Sequence, residues 1–204
     1  MRERILFSFL ILLFVVSLTL SAPQTASTAQ VGAKSTPPQP KWTEMDRQQL
    51  LAKARLGDAG SQMWIGAAYE QGWFGKTNFH EALKWFRRAA AQGDPDAQNS
   101  LGQMYEDGEG VQQNYTLAAK WYRKAAEHVP DLGGAGQGRN NLGLLYLEGH
   151  GVPKDYLQAY MWFRLFKRGE ENLNYAKERM TQAQILEAER MAEKWKSHHH
   201  DQQE

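Results

Sequence analysis

The chain has 204 residues, with 24 basic and 23 acidic side chains, a formal net charge of +1 and no cysteine. That length allows one or two domains. The balanced charge gives no footing for nucleic acid or an anionic lipid surface as the main partner, and the missing thiols exclude disulfides, thiolate chemistry and cysteine-ligated metal.

Arg2 and Arg4 stand against Glu3 at the N-terminus, and residues 5–20 are apolar apart from Ser8, Ser17 and Thr19. A basic start followed by such a run reads as a secretory signal sequence over residues 1–21. As a helix the run is about 24 Å long. That is short of the ~30 Å hydrocarbon core, although Ser21 and Ala22 extend it. Two readings stand: cleavage after Ser21 or Ala29, or retention of residues 5–22 as an anchor. Residues 22–42 are rich in Pro, Gln, Ser and Thr. They hold too little apolar surface to fold and are expected to form a disordered linker, extended at Pro37-Pro38-Gln39-Pro40.

Folded structure is expected over residues 43–196. Thr43 can cap a first helix that runs through Leu50, Leu51 and Ala54. Its ending, Ala54-Arg55-Leu56-Gly57-Asp58, parallels Ala90-Ala91-Gln92-Gly93-Asp94. This helix therefore reads as the second half of a repeat, acting as an N-terminal cap. Ile65-Gly66 with Tyr69 then recurs as Leu101-Gly102 with Tyr105 and as Leu142-Gly143 with Tyr146. Trp85, Trp121 and Trp162 recur at the same intervals, 36 and then 41 residues. Two landmarks in one register predict a helical solenoid.

Each repeat divides into two helices. Asp58 and Asp94 can cap the first helices, and Pro95 suits a first helical position. Gly108 and Gly149 suit helix ends that need a positive φ. Asn78, Asn114 and Asp155 cap the second helices, Asn78 pairing with Glu81. The stripe Ala82, Trp85, Phe86, Ala89 returns as Ala118, Trp121, Tyr122, Ala125. Repeats are placed at about 57–92, 93–128 and 137–169. Residues 130–138, with four glycines, are expected to be a mobile loop on one edge. A closing cap over 170–196 contains Leu173, Ala176 and Met180 on one face. A capping box at Thr181 and Gln184 then opens a last helix carrying Ile185, Ala188, Ala192 and Trp195. Residues 197–204 read as a disordered polar tail.

The second repeat, with Ala97, Leu101, Gly102, Tyr105, Gly108, Gly110, Val111, Ala118, Trp121, Lys124, Ala125 and Ala126, resembles the Sel-one-like repeat family, a branch of the tetratricopeptide-like solenoids. The third repeat departs late, at Leu165 and Phe166, and the first departs at the turn Gly72-Trp73-Phe74-Gly75. The resemblance covers about residues 57–169. It implies an all-α, right-handed α-α superhelix of about three helix-turn-helix repeats with N- and C-terminal capping helices. It also implies a scaffold or adaptor for another protein. Bacterial members are often exported and linked to envelope assembly, secretion or host contact, so a periplasmic or secreted location is expected. A membrane-anchored structural component of the envelope is the alternative.

The recurring Gly66, Tyr69, Trp85, Gly102, Tyr105, Trp121, Gly143, Tyr146 and Trp162 are packing positions in this reading. Partner contact is expected on the inner face of the first helices, at Met63, Glu70, Asn99, Gln103, Glu106 and Asn140, with Ala67, Leu144 and Leu147 beside them. These positions carry no lysine, against the carboxylate-clamp mode of related folds. Trp73 and Phe74 are either an exposed anchor or folded over the first hairpin. His198, His199 and His200 are either a weak metal site or polar tail. Asn114-Tyr115-Thr116 has the form of a glycosylation acceptor, but capping by Asn114 accounts for it. A catalytic rival rests on Glu106, Asp107 and Glu109 with His150, as a hydrolase of an envelope polymer. No catalytic triad order, phosphate loop, zinc spacing or dinucleotide fingerprint accompanies them, so a non-enzyme without cofactor or metal is expected.

Overall fold

The computed structural model describes residues 43–129, 133–166 and 170–200. The expected signal sequence and linker, and residues 201–204, lie outside the described residues. The described residues form one compact unit. Its described residues form nine helices and no strand: α1 (Glu44–Arg55), α2 (Ala59–Glu70), α3 (Phe79–Ala91), α4 (Pro95–Asp107), α5 (Tyr115–Ala126), α6 (Gly134–Glu148), α7 (Tyr156–Leu165), α8 (Glu170–Lys177) and α9 (Gln182–His200).

Local sequence explains where these helices begin. Thr43 and Asp46 form a reciprocal capping box on α1. Asp58 and Asp94 accept from the third backbone N–H of α2 and α4, and Pro95 opens α4. Asn78, Asn114 and Asp155 do the same for α3, α5 and α7. Each such cap contributes about 1 kcal/mol. Gly108 and Gly149 end α4 and α6 with φ of 74° and 80°. Thr181 and Gln184 make the expected box before α9.

Helices α2–α3, α4–α5 and α6–α7 are the three hairpins. The backbone carbonyl of Tyr69, Tyr105 or Tyr146 accepts from the N-cap residue of the second helix, at 2.8, 2.7 and 2.8 Å, and closes each one. Inside the hairpin, glycine meets an aromatic ring: Gly66 faces Phe86, Gly102 faces Tyr122 and Gly143 faces Phe163. A Cβ on any of these glycines would lie under 3.0 Å from a ring carbon. Ile65, Leu101 and Leu142, one residue earlier, are fully buried.

The tryptophan preceding each ring points to the preceding repeat. Trp85 packs with Ala54, Leu50 and Leu51 of α1. Trp121 covers the cluster around Ala82 and Phe86, and Trp162 the cluster around Ala118 and Tyr122. Trp85 and Trp162 are buried, whereas Trp121 is half-buried. In α1, Gln49 stands where α3 has Trp85, so the end of the stack meets water with a polar residue. Among first helices α4 lies against α6. The second helices splay apart, and a cleft of about 580 Å³ opens between α3 and α5. The stack therefore curves with its first helices inside.

Two expectations need correction, and one open alternative is decided. The glycines at 134, 136 and 138 are not in a mobile loop: all three are buried at the start of α6. The missing side chains let α6 press against α4 and α5, since a Cβ on Gly134 would meet the Pro95 backbone and one on Gly138 the Ala125 side chain. Nor is residue 197 the start of a tail, because α9 runs on to His200. The His199 ring lies 3.9 Å from Trp195 in a stack that continues the helix. Of the two readings of Trp73 and Phe74, folding over the first hairpin holds: both are half-buried, Phe74 meets Tyr69 edge-on at 5.4 Å, with Arg47 above its ring, and Trp73 stacks on Trp64.

Gly102→Ala should lower stability by about 1–3 kcal/mol through overpacking against Tyr122. Gly60→Ala, on an open face of α2 where the nearest atom is 3.8 Å away, should be neutral or stabilising by up to about 1 kcal/mol. Urea denaturation of both variants distinguishes a packing role from general intolerance of alanine.

Candidate functional site: the first-helix face

The expected contact residues do not share one environment. Met63, Glu70, Gln103, Glu106 and Asn140 are half-buried on the first helices. Gln103 makes no side-chain hydrogen bond among the described residues. Met63 packs at the margin of the Ala82–Phe86 cluster, and Glu70 accepts from Gln71 at 3.0 Å.

Asn99 is different, and its expected exposure is corrected. It is 2% exposed, its Nδ2 donates to Gln137 at 3.0 Å, and its Oδ1 accepts from Asn141 at 3.1 Å. An asparagine one residue from the Gln98 buried position turns toward the next first helix, not toward solvent. Asn140, in the same register, accepts from Asn172 of α8 at 3.2 Å. Leu144 and Leu147 are covered as well, sharing a cluster with Leu173 and Ala176 of α8. The open part of the face is therefore α2 and α4, and the chain's own α8 occupies the third repeat.

Glu106 joins the face to the core. The Tyr122 hydroxyl donates to its Oε2. Burial raises the Glu106 carboxyl above its ordinary range; the Tyr122 bond and nearby His150 pull it down, while Asp107 and Glu148 add to the rise. Burial also raises the Tyr122 phenol, with Glu106 adding to it, so the hydroxyl keeps its proton. The residues of the catalytic rival are otherwise engaged. His150 stands 3.0 Å from the Glu148 carboxylate, and its ring lies 4.7 Å from that of Tyr115. Among the described residues no group of three metal-ligating side chains occurs, and no helix is long and apolar enough to cross a membrane.

Sequence reasoning missed the polar layer between repeats. Gln62, Gln98 and Arg139 recur at the same 36 and 41 residue intervals and are all buried. Each donates to the last carbonyls of the preceding second helix: Gln62 to Ala54, Gln98 to Ala90 and Arg139 to Ala126, at 2.9, 3.3 and 3.0 Å. Gln62 also accepts from Gln92, and Gln98 pairs with His128. Arg139, 2% exposed, reaches the His128 and Leu165 carbonyls too and lies 4.6 Å from the Trp195 ring centroid. Its charge sits where two helix C-termini present carbonyl dipoles, which favours a cation. A second tie joins Arg87 to the Tyr105 hydroxyl at 3.0 Å and Arg123 to that of Tyr146. The signal was the shared register of these residues, hidden because glutamine and arginine do not look like packing residues. Asp96 completes the set: its carboxylate accepts from the Gly134 N–H, so α4 caps α6, whose own N-cap Gly133 has no side chain.

Short hairpins stacked through repeating glycine, aromatic and polar positions define a helical-repeat scaffold for protein interaction. Residues 59–94, 95–128 and 137–167 match the Sel1 repeat, and the chain belongs to the Sel1-repeat family. It is similar to a solved structure described as c5321, a protective antigen present in uropathogenic Escherichia coli strains displaying an SLR fold. The two are 34% identical with a TM-score of 0.66, over 76% of this chain and 33% of that one. A Sel1 repeat protein from Oxalobacter formigenes is 33% identical with a TM-score of 0.54, over 63% of this chain and 50% of that one. The chain thus spans only a third to a half of these longer proteins. No curated protein matches it. Such repeat proteins are generally non-catalytic scaffolds.

Arg139→Ala should destabilise the protein by about 3 kcal/mol or more, since it strips charged donors from three buried carbonyls; thermal unfolding reads this directly. The Glu106 carboxyl yields a pH signature. An acid with a raised folded value is penalised when ionised, so the penalty is absent below the unfolded glutamate value and complete above the folded one. Glu106→Gln should therefore gain stability relative to the parent as pH rises through that window, and the gain should close at lower pH. Paired urea titrations across the carboxylate range check the sign.

Proposed function

We propose that this chain is an exported scaffold or adaptor that captures a protein or peptide on the concave face of α2 and α4. The carrying observation is that Met63, Glu70, Gln103 and Glu106 form the accessible remainder of that face. The glycines, tryptophans and tyrosines beside them are committed to packing. Gln103 keeps its amide free to bond a peptide backbone. The half-buried Glu106 and the absence of basic side chains on α2 and α4 favour a partner segment with basic or donor-rich character. Export is supported by the basic start and apolar run of residues 1–20, and by likeness to a protein described as a protective antigen. A mature N-terminus at Met1, read by sequencing, would instead favour the anchored envelope component.

A photo-crosslinking residue at position 103 should capture a defined protein in the native host, while one at position 120 on the opposite side should not capture that protein. Gln103→Arg should weaken the same contact by about tenfold, the effect of roughly 1.4 kcal/mol, with unchanged thermal unfolding. Equal capture from both positions would reject the concave-face assignment.

A further inference from the structure

The net charge of +1 conceals a division by helix. The first helices α2, α4 and α6 carry Glu70, Asp96, Glu106, Asp107 and Glu148, and their one basic residue is the buried Arg139. The second helices α3, α5 and α7 reverse this. Arg87, Arg88, Lys120, Arg123, Lys124 and Arg164 are all exposed, and the single acid, Glu81, is taken up by Lys84 at 2.6 Å. Arg87, Arg123 and Arg164 recur in the register of the repeat, at 36 and 41 residues, so the cations form a row across all three hairpins. Among the described residues no carboxylate pairs with any of the six within ion-pair distance, although Arg164 lies close enough to Glu193 to influence its carboxylate. Arg87 and Arg123 are instead held by neutral tyrosine hydroxyls. Their charge therefore remains available to an outside anion.

The cleft between α3 and α5 opens on this side of the hairpins. Ala90, Ala91 and Trp121 give it apolar walls, and Lys124, 4.7 Å above the Trp121 ring, stands with Glu127 at its edge. An indole beside an ammonium suits the boundary between headgroups and acyl chains, where amphipathic rings concentrate. The apolar run of residues 5–20 supplies the remaining argument. Read as a signal sequence or anchor, it addresses this chain to a membrane, and the 22 residues between Leu20 and Thr43 allow a separation of at most about 80 Å.

We propose that the row of cations on α3, α5 and α7, with the Trp121 cleft, docks on an anionic phospholipid surface. This rests on the reading of the chain as exported across or anchored in a membrane. The concave face of α2 and α4 is then turned away from the bilayer and left open to its partner. Several spread cations matched to no single pocket fit a surface of many phosphates better than one discrete ligand.

The test uses the full chain mixed with vesicles of phosphatidylcholine alone or of phosphatidylcholine with phosphatidylglycerol. Amine acetylation is followed by mass spectrometry. Lys120 and Lys124 should react about fivefold more slowly with the anionic vesicles, a factor expected for one cation held at a charged surface. Lys177, on α8, should be unaffected, and high salt should abolish the protection. The variant Arg87→Gln, Arg88→Gln, Arg123→Gln retains both reporter lysines and should lose most of the protection while circular dichroism remains that of the parent. Equal acetylation with both vesicles, protection that survives high salt, or an unaffected variant overturns the proposal. So does protection by an acidic polypeptide without protection by the anionic vesicle. Crosslinking from position 103 in the native host is the companion measurement: its retention with a lost footprint rejects only the lipid-facing role, and the converse rejects only the partner face.

Discussion

The contact between a helical glycine and the aromatic ring twenty residues later governs the rest of this structure. Gly66 with Phe86, Gly102 with Tyr122 and Gly143 with Phe163 bring the two helices of a hairpin closer than any side chain at the glycine would allow. This approach buries Ile65, Leu101 and Leu142 completely and turns the preceding tryptophan onto the previous repeat. The same helix then cannot offer these residues to a ligand. What stays accessible on the first helices is the set of positions that the close approach leaves uncovered.

A polar layer holds one hairpin to the next. Burying a donor without its acceptor is expensive, and stacked helices end in carbonyls that have no partner within their own helix. Gln62, Gln98 and Arg139 supply the donors at each junction in turn. The third junction uses arginine because it has more to satisfy: the ends of α5 and α7 meet there, beneath Trp195 of the closing helix. Asn99 belongs to the same economy. Its amide links α4 to α6, which is why a residue that resembles a binding asparagine is inaccessible. Hydrogen bonds of this kind also select register, since slipping one hairpin by a residue would leave several buried groups unpaired.

The curvature follows from the unequal spacing of the two helix sets, and it separates two surfaces of opposite sign. On the inside, acids and neutral amides remain around Gln103. On the outside, cations stand over tyrosine hydroxyls and a tryptophan-floored cleft. A small repeat stack thereby gains two chemically distinct faces without an added domain. Its third repeat is not equivalent to the others, because α8 packs onto Leu144 and Leu147 and closes the inner face there.

The helices, their caps and the hairpin pairing were legible in the amino acids alone, since each rests on local chemistry: Asp, Asn and Thr at N-caps, glycine at positive φ, and apolar residues at helical spacing. The division of charge was also present in the linear order, but it acquires meaning only once first and second helices lie on opposite sides. Tertiary structure alone decided which polar residues face solvent. Glutamine, asparagine and arginine are ambiguous in isolation, because each can be solvated or can satisfy a buried partner at similar net free energy. The glycine-rich segment before the third repeat is ambiguous for the same reason. Glycine permits both a mobile loop and the closest packing of helices, and only the presence of α4 and α5 against α6 selects the second.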